Sequence, residues 1–547
     1  MSTTSSGRKW LVLGAVSLGL FMALLDATIV NIAVPAIMQD LGASIASVSW
    51  VLNSYNLALA VLFLSVGRIA DRFGQKRLFL LGLGLFTLFS LAAGLAPSIE
   101  WLIVFRLGQA VGAASMVPIS LTILLGVFPR EQHGLATGLW AALGAVAAAL
   151  GPSLGGLLTE YGSWQWIFFV NVPVGVVALL ATWRWVPEHR RAALARIDLG
   201  GIALSALALF ALTLALIQGN DWGWTAGRTM GLFVTAAVAA VAFVVWEARV
   251  REPMLDLRLF RIRSFAAANA AFLLIGVAMM GSVFLLVIFM VNVMGYSELK
   301  AGIAITPMPI TGLLLAPLVG KLVDRIGPRV PAVAGALGFG IGLLTMAQLD
   351  AGAGLGDVAW RAVILGVGMG FSMPAFMSAG MGSIPDEHGG VASGAINTAR
   401  QLGFVLGVAV LVAVFSASMT TALDDAKAEV TTMVSRQPGL PAAMKVQVAG
   451  RLDAASSSLT TGAVGESGAG LLGDPPAGAT PEQIAQLKPL EVEIKRVYQT
   501  QIGGAFSLPF YVAAGAAFLM LLPATLTGRR LGAHAGDHER QSPYPVG

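Results

Sequence analysis

The sequence predicts an all-α integral membrane protein that crosses the bilayer fourteen times, its helices arranged as six, two and six. Three observations carry this expectation: the composition, the spacing of apolar runs, and a repeated pair of short polar loops. Of 547 residues, 56% are hydrophobic and 12% charged, against roughly 25% charged in an ordinary soluble domain, too little to cover a water-facing surface. The absence of cysteine removes disulfides, thiolate metal sites and cysteine nucleophiles from consideration. A formal charge of +5 could signal nucleic acid or another anionic partner, but its meaning depends on where the basic residues fall along the chain.

Each crossing of ~30 Å of hydrocarbon takes about 20 apolar residues. Runs of this kind are expected at 11–38, 48–67, 78–96, 100–122, 134–158, 166–186, 199–217, 229–246, 265–292, 301–319, 331–349, 359–382, 391–418 and 506–527. Arg8 and Lys9 precede the first run as in a signal peptide, yet the run continues to about Met38 without a small-residue cleavage pattern, so it reads as a retained helix. Internal Gly and Pro are compatible with spanning helices, because neighbouring helices and side chains satisfy the freed backbone groups.

With the N-terminus inside, cytoplasmic segments hold 22 of the 34 Lys and Arg residues, and the outer loops before the last hold only Arg228, Lys300 and Arg361. The last outer loop holds seven more, but long loops translocate regardless of charge. The expectation is a multi-pass protein of the cell (inner) membrane with both termini cytoplasmic. That loop, 419–505, is rich in Ala, Ser, Gly and Pro, with one weakly amphipathic stretch from Glu482 to Tyr498, a composition that predicts partial disorder.

The loop after span 2, Gly67-Arg68-Ile69-Ala70-Asp71-Arg72-Phe73-Gly74, returns 253 residues later after span 10 as Gly320-Lys321-Leu322-Val323-Asp324-Arg325-Ile326-Gly327. A second pair, Pro129 to Gly134 before span 5 and Pro385 to Gly389 before span 13, is offset by 256 residues. Both shifts correspond to eight helices, which divides the chain into a cytoplasmic N-terminus 1–10, a six-helix bundle 11–186, inserted helices 7 and 8 with linkers 187–264, a second six-helix bundle 265–527 that includes the loop 419–505, and a tail 528–547. Duplicated halves of this kind build many secondary transporters, with the substrate site at the repeat interface near the midplane; chance similarity between short polar turns is the other reading.

At this point the residues resemble the major facilitator superfamily, in particular its fourteen-helix drug:proton antiporter branch. Four motifs carry the resemblance: Gly67 to Arg77 between helices 2 and 3; Leu25-Asp26-Ala27-Thr28-Ile29-Val30-Asn31-Ile32-Ala33-Val34-Pro35 in helix 1; Gly151-Pro152-Ser153-Leu154-Gly155-Gly156 in helix 5, similar to the antiporter motif; and Arg106 with Gln109 and Gly112 in helix 4. Ala110 and Gln165 depart from it, standing where that family usually has Gly and commonly has Arg. The resemblance implies the major facilitator fold and a proton-coupled antiporter that exports small amphipathic or hydrophobic compounds.

Asp26 is the one carboxylate well inside a span. A charge there costs at least ~2.5 kcal/mol, a cost that an unpaired carboxylate sheds by binding a proton or a cation; fixation in a buried ion-pair network is the alternative. Arg106 lies about seven residues inside the outer end of helix 4, with Gln109 one turn further on the same face. The resemblance implies that it competes with the proton for Asp26, whereas an Arg at that depth can also snorkel to the outer headgroups. Arg400 in helix 13, on one face with Asn397 and Gln401, poses the same choice. All five histidines, at 133, 189, 388, 534 and 538, fall in cytoplasmic segments, which excludes a histidine proton relay inside the membrane.

Candidates for the substrate cavity are Asn31, Asn53, Tyr55, Asn56, Gln109, Asn397, Arg400 and Gln401, for several of which an interhelical hydrogen bond is an equal alternative. The resemblance makes Gly67, Asp71, Arg72 and Gly74 a conformational latch closing the inner side, with Asp324 and Arg325 its weaker copy; a purely topogenic basic loop is the other reading. Gly151, Pro152, Gly155 and Gly156 favour a bend and tight helix contact, which the resemblance associates with antiport.

No metal site, cofactor other than the proton as coupling ion, or nucleic-acid partner is expected; the partners are a small-molecule substrate and the lipid bilayer, and the functional unit is expected to be a monomer. Gly320-Lys321 lacks the earlier glycine of a phosphate-binding loop, Leu315 standing in its place, which disfavours an ATP-driven pump. Nothing resembles an enzyme's nucleophile, base and orienter set. A dedicated exporter of one metabolite, lipid or antibiotic, and an energy-independent facilitator, are the competing functions, the second disfavoured by Asp26.

Overall fold

A computed structural model of the chain describes residues 6–129, 132–188, 198–250, 253–382, 384, 389–436, 492–494, 496–498 and 500–528, with some side chains in helices 1, 2, 5 and 13 excepted. Among the described residues all regular secondary structure is helical. The spans are α1 Ser6–Leu41, α2 Ile45–Phe73, α3 Gln75–Gly94, α4 Ile99–Val127, α5 His133–Tyr161, α6 Trp166–Trp185, α7 Leu199–Trp222, α8 Gly227–Arg249, α9 Arg263–Val293, α10 Glu298–Ile326, α11 Arg329–Met346, α12 Leu355–Met381, α13 Gly389–Arg436 and α14 Ser507–Leu526. Thirteen helices are long and apolar enough to cross a membrane among the residues searched, and α5, which carries one acidic residue, Glu160, near its end, stands where the fourteenth is expected.

Local chemistry sets the boundaries. Ser44 caps α2 by accepting from Ser47 N at 3.1 Å, and Asp198 caps α7 by accepting from Gly201 N at 2.8 Å. Gly74, at φ 101°, makes the turn between α2 and α3 in a conformation that a side chain disfavours. Four of the spans depart from a single regular helix: α6 breaks at Val170, α9 ends in a π-helical turn from Phe289 to Val293, α10 is interrupted at Thr306 before Pro307, and α14 at Met520. Such irregularities inside a membrane need neighbours to satisfy the backbone, and all four lie on helices packed inside a bundle.

The six-plus-two-plus-six arrangement places α1–α6 and α9–α14 in two bundles that meet along α2–α13, α5–α10 and α1–α9. Helix α7 packs against α2 and α13 at this seam, with Trp50 and Phe210 rings 5.7 Å apart and Asn220 Nδ2 donating to Ala413 O at 2.6 Å. Its partner α8 is the least buried span and presents Val238, Val241 and Val244 outward, a surface suited to lipid.

The apolar core is split unequally. At the end away from the chain termini, residues of the first bundle such as Val34, Val48 and Ile167 share one continuous core with the whole second bundle. At the termini end, Val16, Phe79, Phe86 and Ile123 form a separate core confined to the first bundle. The two halves are therefore joined at one end and packed independently at the other.

The long outer loop differs from the expectation at both edges. Helix α13 does not stop near 418 but continues to Arg436, 48 residues in all and ~72 Å at 1.5 Å per residue. Met419, Leu423, Ala426, Val430 and Val434 recur at helical spacing on its buried side and share a core with Ile494, Tyr498 and Ile502 before α14. The apolar stripe, hidden in a polar composition, packs this helical extension against the residues that lead into α14. Residues 437–491, which hold the first part of the expected amphipathic stretch, lie outside the described residues.

Candidate functional site

Four helices converge on Asp26. It lies on α1 and is fully buried. Arg106, 1% exposed on α4, donates from Nη1 to Asp26 Oδ2 and to Gln109 Oε1 at 2.7 Å, while its Nε donates to the Val51 carbonyl of α2 at 3.3 Å. The other Asp26 oxygen accepts from Gln109 Nε2 at 2.8 Å and from Asn171 Nδ2 of α6 at 3.3 Å. The guanidinium stands 4.0 Å from the Tyr55 ring centroid and 5.8 Å from that of Phe168. Aromatic faces of this kind attract a desolvated cation.

The pair has what a buried ion pair requires, good geometry and additional hydrogen bonds to the remaining lone pairs and protons. Arg106 therefore does not snorkel; its partner is Asp26, one helix away. The carboxylate thus sits in a buried network of one ion pair and two amide hydrogen bonds.

Tyr55 and Gln109, expected as cavity candidates, take part in this network. Tyr55 is 1% exposed, hydrogen-bonded to Ala23 O at 3.4 Å and stacked on Arg106, and Gln109 bridges the ion pair, so both belong to the interior of the first bundle. The cause is the facing of α2, whose Tyr55 side turns toward α4 rather than toward the second half. Asn171 and Ser90 were not singled out from the sequence, although Asn171 is a polar residue within a predicted span. Asn171 donates also to Ser90 Oγ at 3.1 Å, and Ser90 donates to Phe168 O at 2.9 Å, so α3 and α6 brace the carboxylate.

The glycine-rich segment of α5 lies between this network and the other half. A side chain at Gly151 would overlap Thr28, two residues beyond Asp26 on α1, and one at Gly155 would stand 2.8 Å from Ile29 O. On the other side, a Cβ at Gly156 would come within 2.5 Å of Glu298 O and 2.6 Å of Leu299 Cα of α10, and Gly302 of α10 abuts the Pro152 carbonyl. Ser153 Oγ and Thr306 Oγ1 complete the contact at 2.5 Å, and Leu299 N donates to Glu160 Oε2 at 3.2 Å. Only backbone without side chains permits this approach on two faces.

Of the other cavity candidates, Asn31 is 3% exposed and donates to the Ala27 and Thr28 carbonyls. Asn53 is fully buried with neither amide atom hydrogen-bonded, and Asn56 and Gln401 are buried. Arg400 and Asn397 meet, Nη2 donating to Oδ1 at 3.1 Å.

For the latch motif, the side chains of Gly67, Asp71 and Arg72 lie outside the described residues. Gly74 is described: the Glu188 carboxylate fills the space where its side chain would be, with Oε1 2.5 Å from an ideal Cβ. Glu188 accepts from Lys76 N at 3.2 Å and lies 3.7 Å from Arg77 Nε, so a carboxylate following α6 holds the positive N-terminus of α3. Asp324 and Arg325 are exposed at the end of α10.

The sequence model of the Major Facilitator Superfamily matches residues 16–408. The chain is 38% identical over 408 residues to the tetracenomycin C resistance and export protein of Streptomyces glaucescens, covering 74% of this chain and 76% of that protein. It is likewise 38% identical over 423 residues to the multidrug resistance protein Stp of Mycobacterium tuberculosis, covering 76% and 77%. A solved bacterial homologue of the human lysosomal transporter Spinster, in an inward-facing and unoccupied conformation, shares the fold with a TM-score of 0.61 at 17% identity, over 96% of this chain and 99% of that one. With a sequence match running from α1 into α13 and a common tertiary fold, the chain belongs to the Major Facilitator Superfamily.

Proposed function

We propose that the chain is a proton-coupled antiporter that exports small amphipathic or hydrophobic compounds, drugs and antibiotics among them, across the cell membrane. The observation that carries the coupling is the Asp26–Arg106 pair, buried and held by Gln109 and Asn171. The named resistance and export roles of the relatives support the direction and substrate class.

A proton reaching Asp26 removes the charge that Arg106 balances. Arg106 then keeps Gln109, the Val51 carbonyl and the Tyr55 ring, all on α2 or α4. Because α2 also packs against α13, a shift of Arg106 acts directly on the seam between the halves. Helix α5 offers a second route, with Gly151 against α1 and Gly156 against α10. Protonation and seam rearrangement are thus one mechanical event, and export follows if the substrate leaves as the proton enters.

The basic-residue asymmetry supports cytoplasmic termini, and on that reading the end at which the halves pack independently faces inward. Both halves of the transport unit lie on one chain, which supports a functional monomer. The proton is the coupling ion. Transport in inverted membrane vesicles under an imposed pH gradient, comparing the wild type with Asp26→Asn, tests the proposal: gradient-driven accumulation is expected in the wild type and none in the mutant, and accumulation that persists in Asp26→Asn would remove Asp26 from the coupling.

A further inference from the structure

Arg106 and Arg400 lie well inside their spans, away from the helix ends, and they differ in one respect. Arg106 is neutralised by Asp26. Arg400 is not: no described carboxylate lies within ion-pair distance, its Nε is buried without a hydrogen-bond partner, and the guanidinium meets Asn397 Oδ1 and, at 5.9 Å, the ring of Phe404. A guanidinium inside a membrane without a counter-charge is costly and marks a ligand path more often than a structural role.

The surroundings say where this charge points. Ser393, Asn397, Arg400 and Phe404 follow one another at helical spacings of four, three and four residues, and each is partly exposed along α13. The helix is flanked by α2, α7 and α9, and at this level, toward the termini end, the first bundle keeps a core of its own. The stripe therefore borders the separation between the halves. It offers one fixed positive charge, an amide beside it and an aromatic ring, with apolar walls around them.

We infer that Arg400 is a substrate-recognition residue and that it selects compounds bearing an anionic oxygen group, a carboxylate or an acidic phenol, on an apolar body. Such a group would take the vacant Nε–H in a charge-assisted, two-point hydrogen bond, which the planar guanidinium fork provides and an ammonium does not. The apolar body would rest on Phe404. Since Asp26 is already paired within the first bundle, Arg400 leaves this stripe with a net positive charge among the described residues, which disfavours cationic amphiphiles. This assignment rests on the export reading for its biological sense, but not for its test, which measures binding alone.

The experiment uses the full chain in phosphatidylcholine nanodiscs and three fluorescent probes with one aromatic body: pyrenebutyrate, pyrenebutanol and pyrenylbutyl-trimethylammonium. In the wild type pyrenebutyrate is expected to bind at least tenfold more tightly than the trimethylammonium probe. Arg400→Gln is expected to weaken pyrenebutyrate at least tenfold and to change pyrenebutanol by less than twofold, the latter showing that the site is still folded. Arg400→Lys should recover only part of the loss. Equal pyrenebutyrate binding by the wild type and Arg400→Gln, or a wild-type preference for the cation, would overturn the assignment. Loss of proton-coupled transport in Asp26→Asn with these affinities unchanged would leave it standing, and normal coupling with no anion preference would sink it alone.

Discussion

Ser153 of α5 and Thr306 of α10 hold their hydroxyl oxygens 2.5 Å apart across the seam between the two halves. The contact lies at the end where both halves share one core, so alternating access must break it. The chain contains no cysteine, and Ser153→Cys/Thr306→Cys therefore creates a single possible disulfide. Oxidation is expected to cross-link the pair and reduce vesicle transport to background, and dithiothreitol to restore it; a cross-linked protein that still transports would show that the seam stays shut during the cycle.

Removing one partner of a buried ion pair costs about 3–5 kcal/mol, whereas removing both costs far less. Arg106→Gln alone should lower the thermal midpoint of the purified protein by several degrees, and Asp26→Asn/Arg106→Gln should recover most of that loss. Transport should stay absent in both. A double variant as unstable as the single one would mean that the partners do not balance each other.

Asn171→Leu deletes one donor to Asp26 and one to Ser90. A hydrogen bond to a charged group contributes about 1.5–3 kcal/mol, so a ten- to hundredfold fall in gradient-driven transport is expected, with membrane expression preserved. The measurement is initial transport rate per folded protein, and an unchanged rate would restrict Asn171 to packing.

Gly155→Val would push a side chain into the Ile29 backbone. Backbone cannot step aside as a flexible side chain does, and overpacking of this kind costs about 1–3 kcal/mol or more. A lower thermal midpoint together with loss of coupled transport is the expected result. Transport at the wild-type rate would dissociate the glycine motif from coupling.

Much of this was legible in the chain because membranes make certain residues conspicuous. Apolar length marked the spans, and only boundaries moved, most of all in α13, where a buried stripe from Met419 to Val434 continues the helix into a stretch whose composition resembles a loop. Asp26 stood out because a carboxylate in hydrocarbon is expensive, and Arg106 and Gln109 because they share a helix face. Which partner Arg106 chooses was not legible, since snorkelling and pairing differ only in the direction its side chain takes. Asn171, Ser90 and Glu188 were harder still, each acting on a residue many positions away in the chain.

The sequence by itself determined that this protein belongs in a bilayer, that its helices are arranged as six, two and six, and that Asp26 is its exceptional buried charge. These follow from composition and period, which act locally. Only the tertiary structure decided that Arg106 neutralises Asp26 while Arg400 has no counter-charge among the described residues, and that the glycines of α5 join α1 to α10. Those facts depend on which faces of distant helices meet, and a side chain's partner across 80 residues, as between Asp26 and Arg106, is set by packing rather than by position in the chain.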